Sequence, residues 1–204
     1  MKDIYALFRH SLAGLRMLVA LTVLLGVAYP LAVTGVAQAV FPWRADGSLV
    51  TATGAHTTDA EDAVGSALVG QLTAGGGLFQ PRPSAAGNGY DMLSTYGSNL
   101  GPNNPGLVAT IEARRAEIAE REGVEAADVP PDAVTASASG LDPDISPAYA
   151  AIQVRRVAAA NGLTEDQVRR LVREHTSGRT WGVLGEPRVN VLELNVAVLQ
   201  LAGS

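Results

Sequence analysis

Between Met17 and Val40 the chain carries no charged side chain, and this run of 24 residues limits the fold more than any other feature. As a helix it extends about 36 Å, enough to cross a hydrocarbon core of about 30 Å. A helix satisfies its backbone N–H and C=O groups internally, so a span is the natural state of such a run in lipid. Lys2, Arg9 and Arg16 precede it against the single acid Asp3, whereas the twenty residues after it offer only Arg44. That bias places residues 1–16 in the cytoplasm as a short tail and exports residues 41–204. Trp43 stands where an interfacial aromatic anchor belongs. A cleaved signal peptide is the rival, since Ala37-Gln38-Ala39 looks like a cleavage site. The run is far longer than the usual apolar segment of such peptides, which favours an anchor.

Inside the span, Ala28, Ala32, Gly35 and Ala39 share one helical face. Small residues admit a close neighbouring helix, so this stripe fits packing in a larger membrane complex; general richness in Ala explains it equally well. Pro30 predicts a kink.

The exported part holds twelve basic against nineteen acidic side chains, which excludes nucleic acid as an expected partner. Cysteine is absent, so disulfides and thiolate metal sites are excluded. The spacing predicts one α+β domain over 65–204, preceded by a linker and domain start at 41–64 with a strand at Ser48–Thr51. Further short strands are expected at Ala67–Val69 and Leu78–Phe79. Residues 81–106, dense in Pro, Gly, Asn and Ser, read as a long loop.

Three helices then announce themselves by their ends. Asn104-Pro105 caps the first and Gly123 closes it. Ser146-Pro147 starts the second, which runs to Asn161-Gly162. Thr164 with Gln167 forms a capping box for the third, whose inner stripe is Val168, Leu171, Val172 and His175. Asn190 and Glu193 favour a fourth helix from Val191, with a strand as the alternative.

Signatures of catalysis are scarce. His10, His56 and His175 are far apart in sequence, and no H-x-x-x-H pair exists to bind zinc. Ser137 and Ser139 lack a base nearby in sequence, and G-x-S-x-G is missing. Asp142-Pro143-Asp144 opens like a calcium loop, but Ser146-Pro147 breaks the pattern, leaving a turn role. Gly75-Gly76-Gly77 lacks the rest of a phosphate-binding loop and reads as a turn. The residues alone predict a membrane-anchored interaction domain without its own active site, metal or cofactor. A membrane-anchored ligand-binding module and, less favoured, an anchored serine hydrolase are the alternatives.

The segment Val134-Thr135-Ala136-Ser137-Ala138-Ser139-Gly140-Leu141-Asp142-Pro143-Asp144-Ile145-Ser146-Pro147 resembles the C subunit of the Kdp potassium-transporting ATPase. Gly65 to Gln71, Phe79 with Arg82-Pro83-Ser84, Gly97 to Pro102, Arg156-Val157-Ala158 and Val189 to Asn195 agree in order. Tyr96, Leu78 and Arg155 depart from the family pattern locally. The resemblance implies a non-catalytic accessory subunit of a pump in the bacterial inner membrane. Its implied partners are a channel-like potassium-translocating subunit, a P-type subunit that hydrolyses the ATP used by the complex, and membrane lipid. The family description also implies a catalytic chaperone that raises the ATP affinity of the hydrolysing subunit. An exported domain cannot meet cytoplasmic ATP in the assembled pump, so the expected action is indirect, through the membrane helix and channel-like subunit. Gln153 is the expected nucleotide contact if one exists. Arg82 and Asn99, in the loop from Pro81 to Pro105, are expected at the contact with the channel-like subunit.

Overall fold

A computed structural model of the chain describes residues 2–203. The chain divides into two compact units, Met1–Gly47 and Ser48–Ser204.

The first unit is nearly all helix. Helix α1 (Lys2–Val23) passes through a π-helical turn (Leu24–Ala28) into α2 (Tyr29–Val40), and the short α3 (Pro42–Ala45) follows. The π turn sits just ahead of Pro30. A proline has no N–H and its ring crowds the carbonyl four residues back. Here the Tyr29 N–H reaches back five residues to the Leu24 carbonyl, and the wider turn relieves that crowding within a continuous helix. Asp3–Val40 is long and apolar enough to cross a membrane, and its large apolar side chains are exposed along the whole length.

The second unit is α+β. Strands β1 (Leu49–Thr51), β2 (His56–Thr57) and β3 (Ala63–Ser66) form an antiparallel sheet in the order β2-β1-β3. After a long segment without regular structure come α4 (Pro105–Glu122), a 3-10 turn (Ala126–Asp128), α5 (Pro131–Val134) and β4 (Asp144–Ile145). Helices α6 (Pro147–Asn161) and α7 (Glu165–Glu174), strands β5 (Thr176–Ser177) and β6 (Arg188–Asn190), and α8 (Val191–Ala202) complete it. The second sheet is antiparallel in the order β4-β6-β5.

Local chemistry explains the helix limits. Asn104 accepts from the Gly106 and Leu107 N–H groups, Ser146 from Tyr149, and Asn190 from Glu193, each satisfying donors that a helix start leaves orphaned. Thr164 and Gln167 close both halves of the capping box. Gly123 and Gly162 end α4 and α6 in the left-handed conformation that glycine adopts without a Cβ penalty.

The core gathers Phe79, Ile118, Val134, Ile145, Tyr149, Val154, Val157, Val168, Val189, Leu194 and Val198. Small aliphatics fill the space between four helices and the second sheet, with Tyr149 and Phe79 as its two large rings.

Two expectations need correction. Ala67–Val69 is a turn after β3 rather than a strand. The Ala67 N–H still meets the Ser48 carbonyl at 2.9 Å, but its own carbonyl accepts from Asn190 Nδ2 at 2.9 Å and the Val69 N–H turns back to the Ser66 carbonyl. Leu78–Phe79 joins no strand: Leu78 lies in a bend, and helix side chains take the Leu78 carbonyl and both Phe79 backbone groups. The helix expected from Val191 is present as α8, capped by Asn190, and the short strand Arg188–Asn190 pairs in the sheet just before it.

Candidate functional site

Of the residues that the sequence singled out, Arg82, Asn99 and Gln153 lie in or against residues 76–101, a stretch with no strand or helix of its own. Because it runs through the core at Phe79, its backbone polar groups need partners. Two amides supply them. Asn195 on α8 accepts from the Phe79 N–H at 2.8 Å and donates to the Phe79 carbonyl at 2.9 Å. Gln153 on α6 accepts from the Gln80 N–H at 2.7 Å and donates to the Gln80 carbonyl at 3.1 Å. Each side chain imitates one rung of a β-ladder, so two successive residues are clamped by two helices.

An ionic cluster holds the approach to this clamp. Glu122, at the end of α4, has a fully buried side chain. Its carboxylate bridges Arg121 Nε at 2.7 Å and Arg156 Nε at 2.8 Å. Arg156 also donates to the Leu78 carbonyl at 2.9 Å, to the Gly76 carbonyl, and to Gln153 Oε1 at 2.8 Å. Asn161 reaches the Gly77 carbonyl at 2.7 Å. Arg121 extends the network to the Tyr149 hydroxyl at 3.2 Å. Burial raises the Tyr149 pKa, which keeps the phenol protonated.

The 134–147 segment fastens the rest of the loop. Arg82 pairs with Asp142 at 2.7 Å and donates to the Thr135 carbonyl at 3.4 Å, while its Nε is buried without a hydrogen-bond partner. Ser84 Oγ donates to the Gly140 carbonyl at 2.7 Å and accepts from the Ala86 and Tyr90 N–H groups. Tyr90 donates its hydroxyl to the Arg82 carbonyl; burial, then the nearby Asp142 charge, push its pKa up and preserve that donor. Gly140 has a positive φ of 70°, and a Cβ there would stand 2.6 Å from the Ala86 Cβ. Only glycine lets the loop close on the motif at that point. Asp142 Oδ1 accepts from the Asp144 N–H at 3.0 Å, an Asx turn. Arg188 faces Asp144 at 3.0 Å, yet burial still raises the Asp144 pKa above the ordinary carboxylate value.

Arg82 therefore points its donors into its own domain, and Gln153 is fully buried with both ends of its amide engaged. Asn99 lies at the surface in the left-handed region, with a φ of 50°. Around it the loop exposes Met92, Leu93, Tyr96 and Leu100, and Leu93 is 97% exposed. In the first unit Ala28, Ala32, Gly35 and Ala39 are all exposed, and nothing lies within 4 Å of where a Gly35 Cβ would stand. Ser137 Oγ lies 3.5 Å from Ser139 Oγ, and His175 Nδ1 meets the Leu171 carbonyl at 2.9 Å. Among the described residues no group of three or more His, Cys, Asp or Glu is placed to hold a metal. A cavity of about 420 Å³ between α8 and the first sheet is lined by Val64, Leu72, Val196 and Leu199. The one buried amide on its wall, Asn195, is already committed to Phe79.

Asn195 is the functional residue that sequence reasoning did not single out. Its signal was an amide between Leu194 and Val196 in the apolar α8, where an unpaired polar group would be costly.

One apolar helix of spanning length, followed by a small α+β domain whose polar side chains hold its own central loop, is the make-up of a membrane-anchored domain. The family model described as the c chain of the K+-transporting ATPase, KdpC, matches residues 11–200. The Potassium-transporting ATPase KdpC subunit of Kineococcus radiotolerans is 52% identical over 196 residues, covering 96% of each chain. That of Acidobacterium capsulatum is 50% identical over 179 residues, covering 88% of this chain and 91% of its own. This chain belongs to the KdpC family, the C subunits of potassium-transporting ATPases.

Proposed function

We propose that the chain is a non-catalytic accessory subunit that stabilises the assembled pump. It acts on ATP use only indirectly, through its membrane helix and a channel-like potassium-translocating subunit. The observation that carries this reading is where the polar chemistry goes. Arg82, Gln153, Arg156, Asp142 and Asn195 all serve the 76–101 loop, while that loop displays Met92, Leu93, Tyr96 and Leu100 outward. A rigid frame that presents apolar side chains suits a subunit contact. In this reading Arg82 and Gln153 are positioning residues, and Asn99 lies at the contact.

The reading places the chain in a bacterial inner membrane with its N-terminus in the cytoplasm, on the strength of Lys2, Arg9 and Arg16. The ATP-hydrolysing P-type subunit then meets this chain only through the membrane or through the channel-like subunit.

The test is co-purification. Tagged chain extracted in mild detergent is expected to bring polytopic pump subunits with it, and a reporter active only outside the cytoplasm, fused after Ser204, is expected to be active. A monomeric chain, or an inactive fusion, overturns the reading. The anchor has its own test. Leucine at a close helix contact costs about 1–3 kcal/mol through overpacking but little against lipid. Ala32→Leu and Gly35→Leu are expected to lower recovery of the intact pump, and Ala37→Leu, nearly opposite on the helix, is not. Equal recovery of the three would remove the stripe from the interface.

A further inference from the structure

Three separate parts of the domain build the walls of the cavity between α8 and the first sheet. Val64 on β3 is 47% exposed, Leu72 in the segment after it 70%, and Leu199 on α8 53%. These side chains, far apart along the chain, line one space of about 420 Å³, together with Val196. Apolar side chains exposed singly need no account, but a concave apolar space of several hundred Å³ is the usual form of a ligand site.

Its walls are fixed before anything enters. The Gly70 N–H bonds the Leu141 carbonyl at 2.8 Å, and a Cβ on Gly70 would collide with the Asp142 carbonyl oxygen, so this wall lies pressed against the 134–147 motif. Gln71 Nε2 donates to the Ser66 and Val69 carbonyls, each at 3.2 Å, and a Cβ on Gly65 would displace that amide. On the facing wall Asn195 is held by Phe79, and Gln200 Nε2 reaches the Ala52 carbonyl at 3.4 Å. A cavity shaped in advance has little ordering to do when it binds.

Chemistry and size narrow the occupant. No residue lining the space carries a charge, in a chain in which 17% do. A charged group there would lose its hydration with no counter-ion in reach. The polar groups left over are neutral: among the described residues nothing donates to Gln71 Oε1, and the Thr73 hydroxyl has no hydrogen-bond partner. A water's share of liquid volume is about 30 Å³, so the space holds about fourteen groups of methylene size, more than any one protein side chain offers. A long apolar body ending in an uncharged acceptor fits this set. An esterified acyl chain is such a body; a free fatty acid, which ends in a carboxylate, is not. Residues 41–48 alone join the apolar helix to β1, a tether of about 30 Å at full stretch, and lipid is the apolar solute that a tethered domain meets in excess.

We propose that this cavity takes one acyl chain of a membrane phospholipid, with the ester carbonyl accepting from the Thr73 hydroxyl and the tail lying among Val64, Leu72, Val196 and Leu199. The contact rests on the spanning role of residues 17–40 and adds a lipid site outside that span.

The experiment uses the whole pump in vesicles of phosphatidylethanolamine and phosphatidylglycerol, with a diazirine at the end of one acyl chain of the phosphatidylethanolamine. Irradiation is expected to label residues 17–40 and, within residues 48–204, only the segments 69–81 and 191–203. Leu199→Trp and Leu72→Trp fill the cavity from facing walls at exposed positions. Each is expected to lower the second label about tenfold, with the label on 17–40 and the unfolding midpoint unchanged. Palmitate in excess is expected not to displace it. Label on residues 48–204 that is absent, spread evenly or unmoved by both substitutions overturns the inference and leaves the anchor intact. So does displacement by palmitate, or a photoreactive benzoylphenylalanine at position 199 that joins another pump subunit. Absence of label from residues 17–40 as well removes the anchor and this contact together.

Discussion

Residues 76–84 and residues 179–186 both lack helix and extended ladder, yet they reach a defined shape by opposite routes. The first depends on remote side chains: Gln80 on Gln153, 73 positions away, and Phe79 on Asn195, 116 positions away. The second depends on itself, through backbone bonds between Arg179 and Leu184 and one local ion pair. The difference separates structure from display. A segment whose backbone is satisfied by the core cannot be altered without loosening the core. A turn that closes on itself leaves its side chains free of the core, and Trp181 is 87% exposed.

The sharpest way to break this comparison is Glu122→Ala. Removing one member of a buried ionic cluster leaves Arg121 and Arg156 without their shared partner, at a cost of about 3–5 kcal/mol. Urea unfolding of the full chain in mild detergent reads it as a lowered midpoint. A loss under about 1 kcal/mol would mean that the network does not hold the 76–80 segment.

Asn195→Ala and Gln153→Ala come next. Each strands a buried N–H and a carbonyl of the clamped backbone, costing about 2–4 kcal/mol by the same measurement. Since the two amides grip adjacent residues, the double variant is expected to lose less than the sum of the single losses.

Asp144 tests the joint between the two regions, because it lies in the 134–147 motif and faces Arg188 at the base of the Trp181 turn. Burial raises its pKa, so the folded state holds the proton more tightly than the unfolded chain does. Protonation thus favours folding below the ordinary carboxylate value, and that contribution is lost as pH rises through the raised one. Thermal midpoints between about pH 4 and pH 6 are expected to depend less on pH in Asp144→Asn. An identical slope in both proteins would place the titration elsewhere.

The smallest expected change in stability is that of Trp181→Ala, within about 0.5 kcal/mol, as for exposed positions without a role in packing. A loss of 2 kcal/mol or more would make the turn part of the fold and erase the contrast.

Much of the architecture was legible from local chemistry. Asn104-Pro105, Ser146-Pro147, Thr164 with Gln167, and the glycines at 123 and 162 mark helix ends because capping involves residues within one turn of each other. The spanning helix was equally plain, since its signal is the composition of one continuous run. Short strands were hidden: two or three residues such as His56–Thr57 or Asp144–Ile145 carry no periodicity, and only their partners define them. For the candidate site, the sequence marked the 134–147 motif, Arg82 and Gln153 as important. It could not say that they face inward.

What the sequence determined by itself was a helix of spanning length, the charge bias across it, the helix limits and the family. Each is written in neighbouring residues or in a long run of matches. Only the tertiary structure decided that Phe79 and Gln80 are gripped by amides on two different helices, or that Gly140 must lack a Cβ because Ala86 stands against it. It alone also left Trp181 outside the core. Those outcomes depend on which distant groups are brought within about 3 Å of one another, and hydrogen bonding and steric contact act over that distance whatever the separation along the chain.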